Sequence, residues 1–148
     1  MTNVVVLNGP NLGRLGTRQP DVYGTTTYES LVQSLHSWGE ERGISVEVRQ
    51  TDDEETLAMW LTEAARARVH VILNAAAFTH YSRAVAEACA KVHASGVVLV
   101  EVHISNPHAR EKFRHTSVVS GVATGVISGF GTDSYRLALE AVAARTPQ

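Results

Sequence analysis

Two short patterns in this chain could move protons. The first is Glu101-Val102-His103, where alternation along an extended segment puts carboxylate and imidazole on the same side. A carboxylate so placed holds an imidazole's tautomer and favours its protonated form, as a general acid or base requires. The second is the stretch 8–24, which carries Asn11, Arg14, Arg18 and Tyr23 among four glycines and two prolines. A free phenol ionises at a pH of about 10 and is a negligible base at neutrality. A guanidinium ~4 Å away, in an effective dielectric of ~20, offers about 4 kcal/mol, enough to make such a phenol competent. Asn74, at the end of another apolar run, and the polar segment 103–114 complete the inventory.

Composition limits what these groups can serve. The chain has 148 residues, one domain's worth, and we read 1–148 as a single catalytic domain. Apolar residues make up 44% and charged residues 19%, which excludes disordered, collagen-like and coiled-coil readings. A net charge of −2 without a basic run argues against a nucleic-acid partner, and no apolar run is long enough for a membrane span. Residues 1–7 lack a basic n-region and a long apolar h-region, so they do not read as a signal peptide, and a cytoplasmic location is expected. Cys89 is the single cysteine, which excludes an internal disulfide and multi-cysteine metal sites; in its Ala-rich surroundings it reads as inert core. Eleven of the 13 cationic residues are Arg, the bidentate reader of carboxylates, and only Lys91 and Lys112 are available for covalent amine chemistry.

The elements that must position the site alternate strictly. Residues 4–7 read as a buried strand, followed by a helix that starts from a capping box at Thr26–Glu29 and ends at Gly43. Residues 44–48 read as a strand near an edge, and Asp52 with Glu55 starts a helix with Leu57, Trp60, Leu61 and Ala64 inward. Residues 69–73, 97–102 and 122–127 are the remaining strands. Helices are expected at 82–93 and 132–144, the last with Leu137, Leu139 and Ala143 inward. Five β-α units predict an α/β fold: one doubly wound, flavodoxin-like, five-stranded parallel sheet in the order 2-1-3-4-5. Ligands of such sheets bind beyond the carboxyl ends of the strands. The 8–24 stretch, far longer than an ordinary βα loop, therefore reads as a lid or binding loop.

Other motifs fail. The glycines at 9, 13 and 16 do not make a dinucleotide fingerprint or a phosphate loop, and no nucleophile elbow exists. The seven histidines show no metal-ligand spacing on a helix, so neither metal nor cofactor is expected.

Four segments, NGPNLGRLGTRQPDVYG from Asn8, NAAAFTHYS from Asn74, EVHISNPHAREKFRHTS from Glu101 and ATGVISGFG from Ala123, closely resemble type II 3-dehydroquinate dehydratase. The resemblance spans nearly the whole chain. It implies dehydration of 3-dehydroquinate to 3-dehydroshikimate through an enolate, without cofactor or Schiff base, in a homododecamer built as a tetramer of trimers. It implies Tyr23 as base, His103 as general acid, Arg18 as the lid cation that holds Tyr23 ionised, Asn11 as the holder of a water at the enolate oxygen, and Glu101 as the group orienting His103. Asn74, His80, Glu87, Ile104, Ser105 and Arg114 would bind substrate, its carboxylate on the Ile104 and Ser105 amides near a helix start. The chain departs from the family at Glu87, where Asp is usual and where the residue could serve a neighbouring subunit's site. It departs also at Tyr81, where Thr is common, and at Ala75-Ala76, where Pro-Gly is commoner.

Two other classes compete. A hydrolase or phosphoryl-transfer enzyme lacks its nucleophile or phosphate loop here. A non-catalytic small-anion-binding module would not need an acid, a base and a base activator together. Two further expectations concern stability and assembly. A strand-end His103 should tolerate truncation, and Val118, Val119 and Val122 should be poorly hidden in a monomer.

Overall fold

The computed structural model describes residues 1–17 and 19–146. Val-, Ile- and Leu-rich segments form β1 (Thr2–Asn8), β2 (Ile44–Gln50), β3 (His70–Asn74), β4 (Leu99–His103) and β5 (Gly125–Ser128). They pair in parallel as one sheet in the order β2-β1-β3-β4-β5, the order the alternating pattern predicts. Successive strand residues face opposite sides of a sheet. Val4 and Val6 accordingly enter one buried cluster with α2 (Tyr28–Glu41) and α5 (Asp133–Arg145). Val5 and Leu7 enter the other, with α3 (Glu54–Ala67) and α4 (Arg83–Ala94). A four-residue helix, α1 (Pro20–Tyr23), lies in the long β1–α2 connection.

Helix starts fall one residue later than the capping patterns suggest. Thr27 rather than Thr26 caps α2, accepting from Ser30 N at 3.1 Å, and Asp53 rather than Asp52 caps α3, accepting from Thr56 N at 2.9 Å. Asp52 is used elsewhere: its carboxylate accepts from Asn11 N at 2.8 Å and from Gln50 Nε2 at 3.0 Å, tying the end of β2 to the root of the long loop. On α5 the buried face is Tyr135, Ala138, Leu139 and Val142, while Leu137 and Ala143 are only half-buried. Tyr135 belongs to the core and so sets the phase of that helix. Residues 120–122 make a 3-10 turn, and the last strand begins at Gly125.

The expectation for the apolar segment 118–122 is corrected at one residue: Val119 is fully buried, whereas Val118 and Val122 pack against the α3/α4 cluster and stay only half-buried. The exposed large apolar side chains include Tyr81, Phe113, Val126 and Phe130. Among the described residues, no helix is long and apolar enough to cross a membrane.

Register decides what the carboxyl edge presents. Asn8 at the end of β1 pairs with Gln50 on one side and Asn74 on the other, and His103 at the end of β4 pairs with Ser128. A polar residue thus ends each of the five strands at one edge, where the apolar strands meet the loops.

Candidate active site

A cavity at that edge is lined by Asn11, Tyr23, Asn74, His80, His103, Ile104, Ser105, Arg110 and Arg114, with Leu12, Ala76 and others completing its walls. Residues from the β1, β3 and β4 ends meet there because the parallel sheet brings all its carboxyl ends to one side.

The histidine side is built on β4. The His103 Nε2 lies 2.5 Å from Glu101 Oε2. The carboxylate has no other use for that contact than accepting, so Nε2–H donates and Nδ1 is left as the ring's other polar atom. Glu101, only 2% exposed, also accepts from the Ser120 hydroxyl at 2.6 Å and the Ser117 hydroxyl at 3.0 Å. Burial alone would raise its carboxyl. The hydrogen bonds from His103, Ser120 and Ser117, with the His103 charge, outweigh that and hold it below the usual carboxylate range. His103 itself is 8% exposed and hydrogen-bonded to this buried group, which corrects the expectation of a strand-end side chain with few interior contacts.

The tyrosine side is built on the loop. Tyr23 is the last residue of α1, and its hydroxyl accepts from Arg110 Nη1 at 2.9 Å. The Arg110 guanidinium also lies 5.2 Å from the Tyr23 ring centroid, and its Nη1 reaches the Ser105 hydroxyl at 3.2 Å. The cation beside the phenol is therefore delivered from the β4 side. Arg18, assigned to this place by resemblance, lies outside the described residues. Arg110 stands in the sequence segment that carries the resemblance, but no local rule pairs it with a tyrosine 87 positions away. The Arg-rich composition was the available signal.

The binding groups distribute as follows. The Asn11 backbone is left-handed at φ 68°, a conformation Asn tolerates, and its N–H is held by Asp52. Gly9, two residues earlier, donates its N–H to the Asn74 carbonyl at 2.8 Å, and a Cβ there would stand 2.5 Å from the Ala75 oxygen. Only glycine lets the loop leave β1 so close to β3. The His80 Nδ1 lies 2.8 Å from the Thr116 carbonyl, which can only accept, so the neutral ring offers Nε2 as an acceptor. Arg114 stacks on Phe113, 4.7 Å from its ring centroid, and pairs with Glu111 at 2.6 Å. Ile104 and Ser105 follow β4 directly, but the helix after them is only a 3-10 turn, Pro107–Ala109, capped by Asn106. One turn of that length contributes little dipole, so any anion binding there rests on individual N–H groups. Ala76 lines the cavity at φ 52°, a left-handed conformation strained for alanine.

Glu87 does not join them. It is exposed on α4, whose buried face is Val85, Ala88, Cys89 and Val92, and it is not among the residues lining this cavity. Cys89 is buried, and burial, with the nearby Glu101 charge, pushes its thiol up to about 12, as suits an unreactive core residue. Among the described residues, no group of three or more His, Cys, Asp or Glu side chains has the geometry to hold a metal ion.

The site thus combines a carboxylate-bound imidazole and a cation-bound phenol on one cavity, an arrangement suited to giving and taking protons on one small molecule. Residues 2–143 match the family model described as dehydroquinase class II. The chain is 63% identical over 142 residues to a 3-dehydroquinate dehydratase of Salinispora tropica, covering 96% of this chain and 97% of that relative. It is 64% identical over 142 residues to the 3-dehydroquinate dehydratase of Salinispora arenicola, with the same shares covered. A solved type II dehydroquinase from Propionibacterium acnes superposes with a TM-score of 0.93 at 49% identity, covering 97% of each chain.

Proposed function

The chain belongs to the class II dehydroquinase family, and we propose how its cavity dehydrates 3-dehydroquinate to 3-dehydroshikimate: by anti elimination through an enolate. The observation that carries the reading is the placement of the Tyr23 hydroxyl, held by Arg110, and the His103 imidazole, held by Glu101, on a single cavity.

The chemistry follows from the substrate. A proton beside a ketone is lost only if a base takes it and the enolate charge is stabilised, and a hydroxide leaves only if an acid supplies a proton. Tyr23 is the base: as phenolate, with its charge paired by Arg110, it takes the proton, and the electron pair moves into the carbonyl as enolate. The family resemblance adds Arg18 as a second cation for this step. The enolate then collapses, the carbon–oxygen bond to the leaving hydroxyl breaks, and the His103 imidazolium donates its proton so that water departs. Glu101 stays ionised and orients the ring. Asn11 fixes a water at the enolate oxygen. Asn74, His80, Ile104, Ser105 and Arg114 bind the substrate's hydroxyls and carboxylate. No cofactor, metal or Schiff base takes part. The product is a conjugated enone, so its ultraviolet absorbance on adding 3-dehydroquinate tests the activity directly, and an enone-free reaction would overturn it. The same assay, run after chelator treatment or with borohydride and substrate, should show an unchanged rate; trapping of an adduct on Lys91 or Lys112 would sink the acid–base scheme.

Assembly belongs to the same proposal. The chain forms a homododecamer, a tetramer of trimers, in which Glu87 reaches a neighbour's cavity. Its exposure on α4, away from this chain's own cavity, supports that, as do the exposed Tyr81 and Phe113. Light scattering at assay concentration checks it: a fully active monomer of 16.0 kDa would overturn it. The location is cytoplasmic. The reaction serves the shikimate route to aromatic compounds or, run within quinate breakdown, the same step in catabolism, and the genes beside this one distinguish the two.

A further inference from the structure

Behind the cavity wall, three polar side chains are buried: Asn8 and Tyr135 are 0% exposed and Asn74 is 4% exposed. They come from the end of β1, the first turn of α5 and the end of β3. Their hydrogen bonds form one chain anchored at both ends by backbone groups with a single possible role. The Ala76 N–H can only donate, so Asn74 turns its oxygen toward it at 3.2 Å. The Asn74 amide nitrogen then faces the Tyr135 oxygen and donates to it at 2.9 Å. The Tyr135 hydroxyl, having accepted, donates onward to Asn8 Oδ1 at 2.7 Å, and Asn8 Nδ2 donates to the Arg49 carbonyl at 3.3 Å. That carbonyl can only accept. Reversing any one member would set two donors or two acceptors face to face, so the polarity of the whole chain has one solution.

We propose that Tyr135 is a positioning residue for substrate binding, fixing Asn74 so that the cavity is offered its remaining amide N–H and never its carbonyl. The site thereby selects an acceptor oxygen of the substrate, a hydroxyl, ketone or carboxylate, at the end of β3. Burial raises the Tyr135 phenol, which keeps the hydroxyl neutral and able to donate. The local sequence around Asn74 cannot impose this orientation alone, since the Ala76 N–H is one bond on an amide whose other half would otherwise be unheld. The inference rests on the dehydratase reading of the cavity.

The test is steady-state kinetics with 3-dehydroquinate on the assembled protein and its Tyr135→Phe, Asn74→Ala and doubly substituted variants. Tyr135→Phe removes one oxygen and keeps the ring in place. Its KM should rise about tenfold, the scale of one mis-set hydrogen bond, with kcat changed far less. Adding Tyr135→Phe to Asn74→Ala should cost nothing further in kcat/KM, because the residue being positioned is already gone. A purely structural role would lower Tm but leave KM at the parent value, or would make the two losses multiply; either result overturns the proposal. Should Tyr135→Phe not fold, Asn8→Ala breaks the same chain by freeing the hydroxyl to turn, and a parent-like KM in that variant is equally decisive. A parent protein that forms no enone would instead refute the dehydratase reading, a failure separate from an active parent whose KM ignores these substitutions.

Discussion

The two halves of the site are built differently. His103 stands at the end of an interior strand covered on both faces, and its partner Glu101 is fastened by two serines that follow that strand, Ser117 and Ser120. Tyr23 stands at the end of a four-residue helix whose flanking Gln19 and Gly24 both have positive φ, and its hydroxyl is met by Arg110 from across the site. The imidazole is therefore placed by core packing, and the phenol by a loop plus one long-range cation. The contrast teaches that function and stability are coupled on one side of this cavity and separable on the other.

Substitution of the two groups proposed as base and acid should break the comparison most visibly. Tyr23→Phe is expected to cut turnover by at least about 100-fold, the low edge of a general base's contribution, while substrate binding and Tm stay close to the parent. Titration calorimetry and thermal melts check both halves of that statement. His103→Ala should cost a similar factor and also lower Tm, since it leaves the buried Glu101 carboxylate without one of its donors. Equal Tm losses for the two variants would erase the distinction between the halves.

Arg110→Met comes next. It removes the donor to the Tyr23 hydroxyl and to Ser105, and should reduce kcat by roughly 10- to 100-fold on the electrostatic scale of a lost transition-state partner. Arg110→Lys should recover only part of the rate, because an ammonium can donate to both hydroxyls that Nη1 now meets but has no planar guanidinium to stack on the Tyr23 ring. Full recovery with Lys would show that charge alone is used at this position.

The histidine side makes a pH prediction. Glu101 has its folded-state pKa held below the ordinary carboxylate value of 4.5, so its contribution to stability is fully present above that value and is lost as pH falls through the lower folded-state value. Replacing Ser117 and Ser120 together by Ala should bring the folded-state value back toward 4.5 and shrink that contribution. Thermal melts compared at pH values above and below 4.5 should show the parent's advantage over the variant largest on the high side and fading on the low side. A constant difference across that range would place the serines' role elsewhere.

The smallest expected effect is on the loop after β3. Ala76 carries a left-handed backbone at φ 52°, so Ala76→Gly should relieve about 1 kcal/mol of strain, partly offset by glycine's greater freedom when unfolded. A Tm rise of roughly 2 °C is expected in a melt, and a fall would mean that the alanine methyl packs better than its strain costs.

Much of this was legible in the chain alone. Runs such as 4–7 and 69–73, separated by amphipathic stretches with caps and glycine stops, determine five β-α units, and parallel pairing then requires their carboxyl ends on one edge. The Glu101–His103 pair was readable because strand periodicity is local. Helix phase at α5 was not, since a tyrosine can face either core or solvent and only its partners, Asn8 and Asn74, decide. The meeting of Arg110 with Tyr23 and the buried chain through Tyr135 were decided by tertiary structure alone. Both join side chains far apart in sequence, across strand ends, and spacing rules carry no information about contacts that exist only once the sheet has brought those ends together.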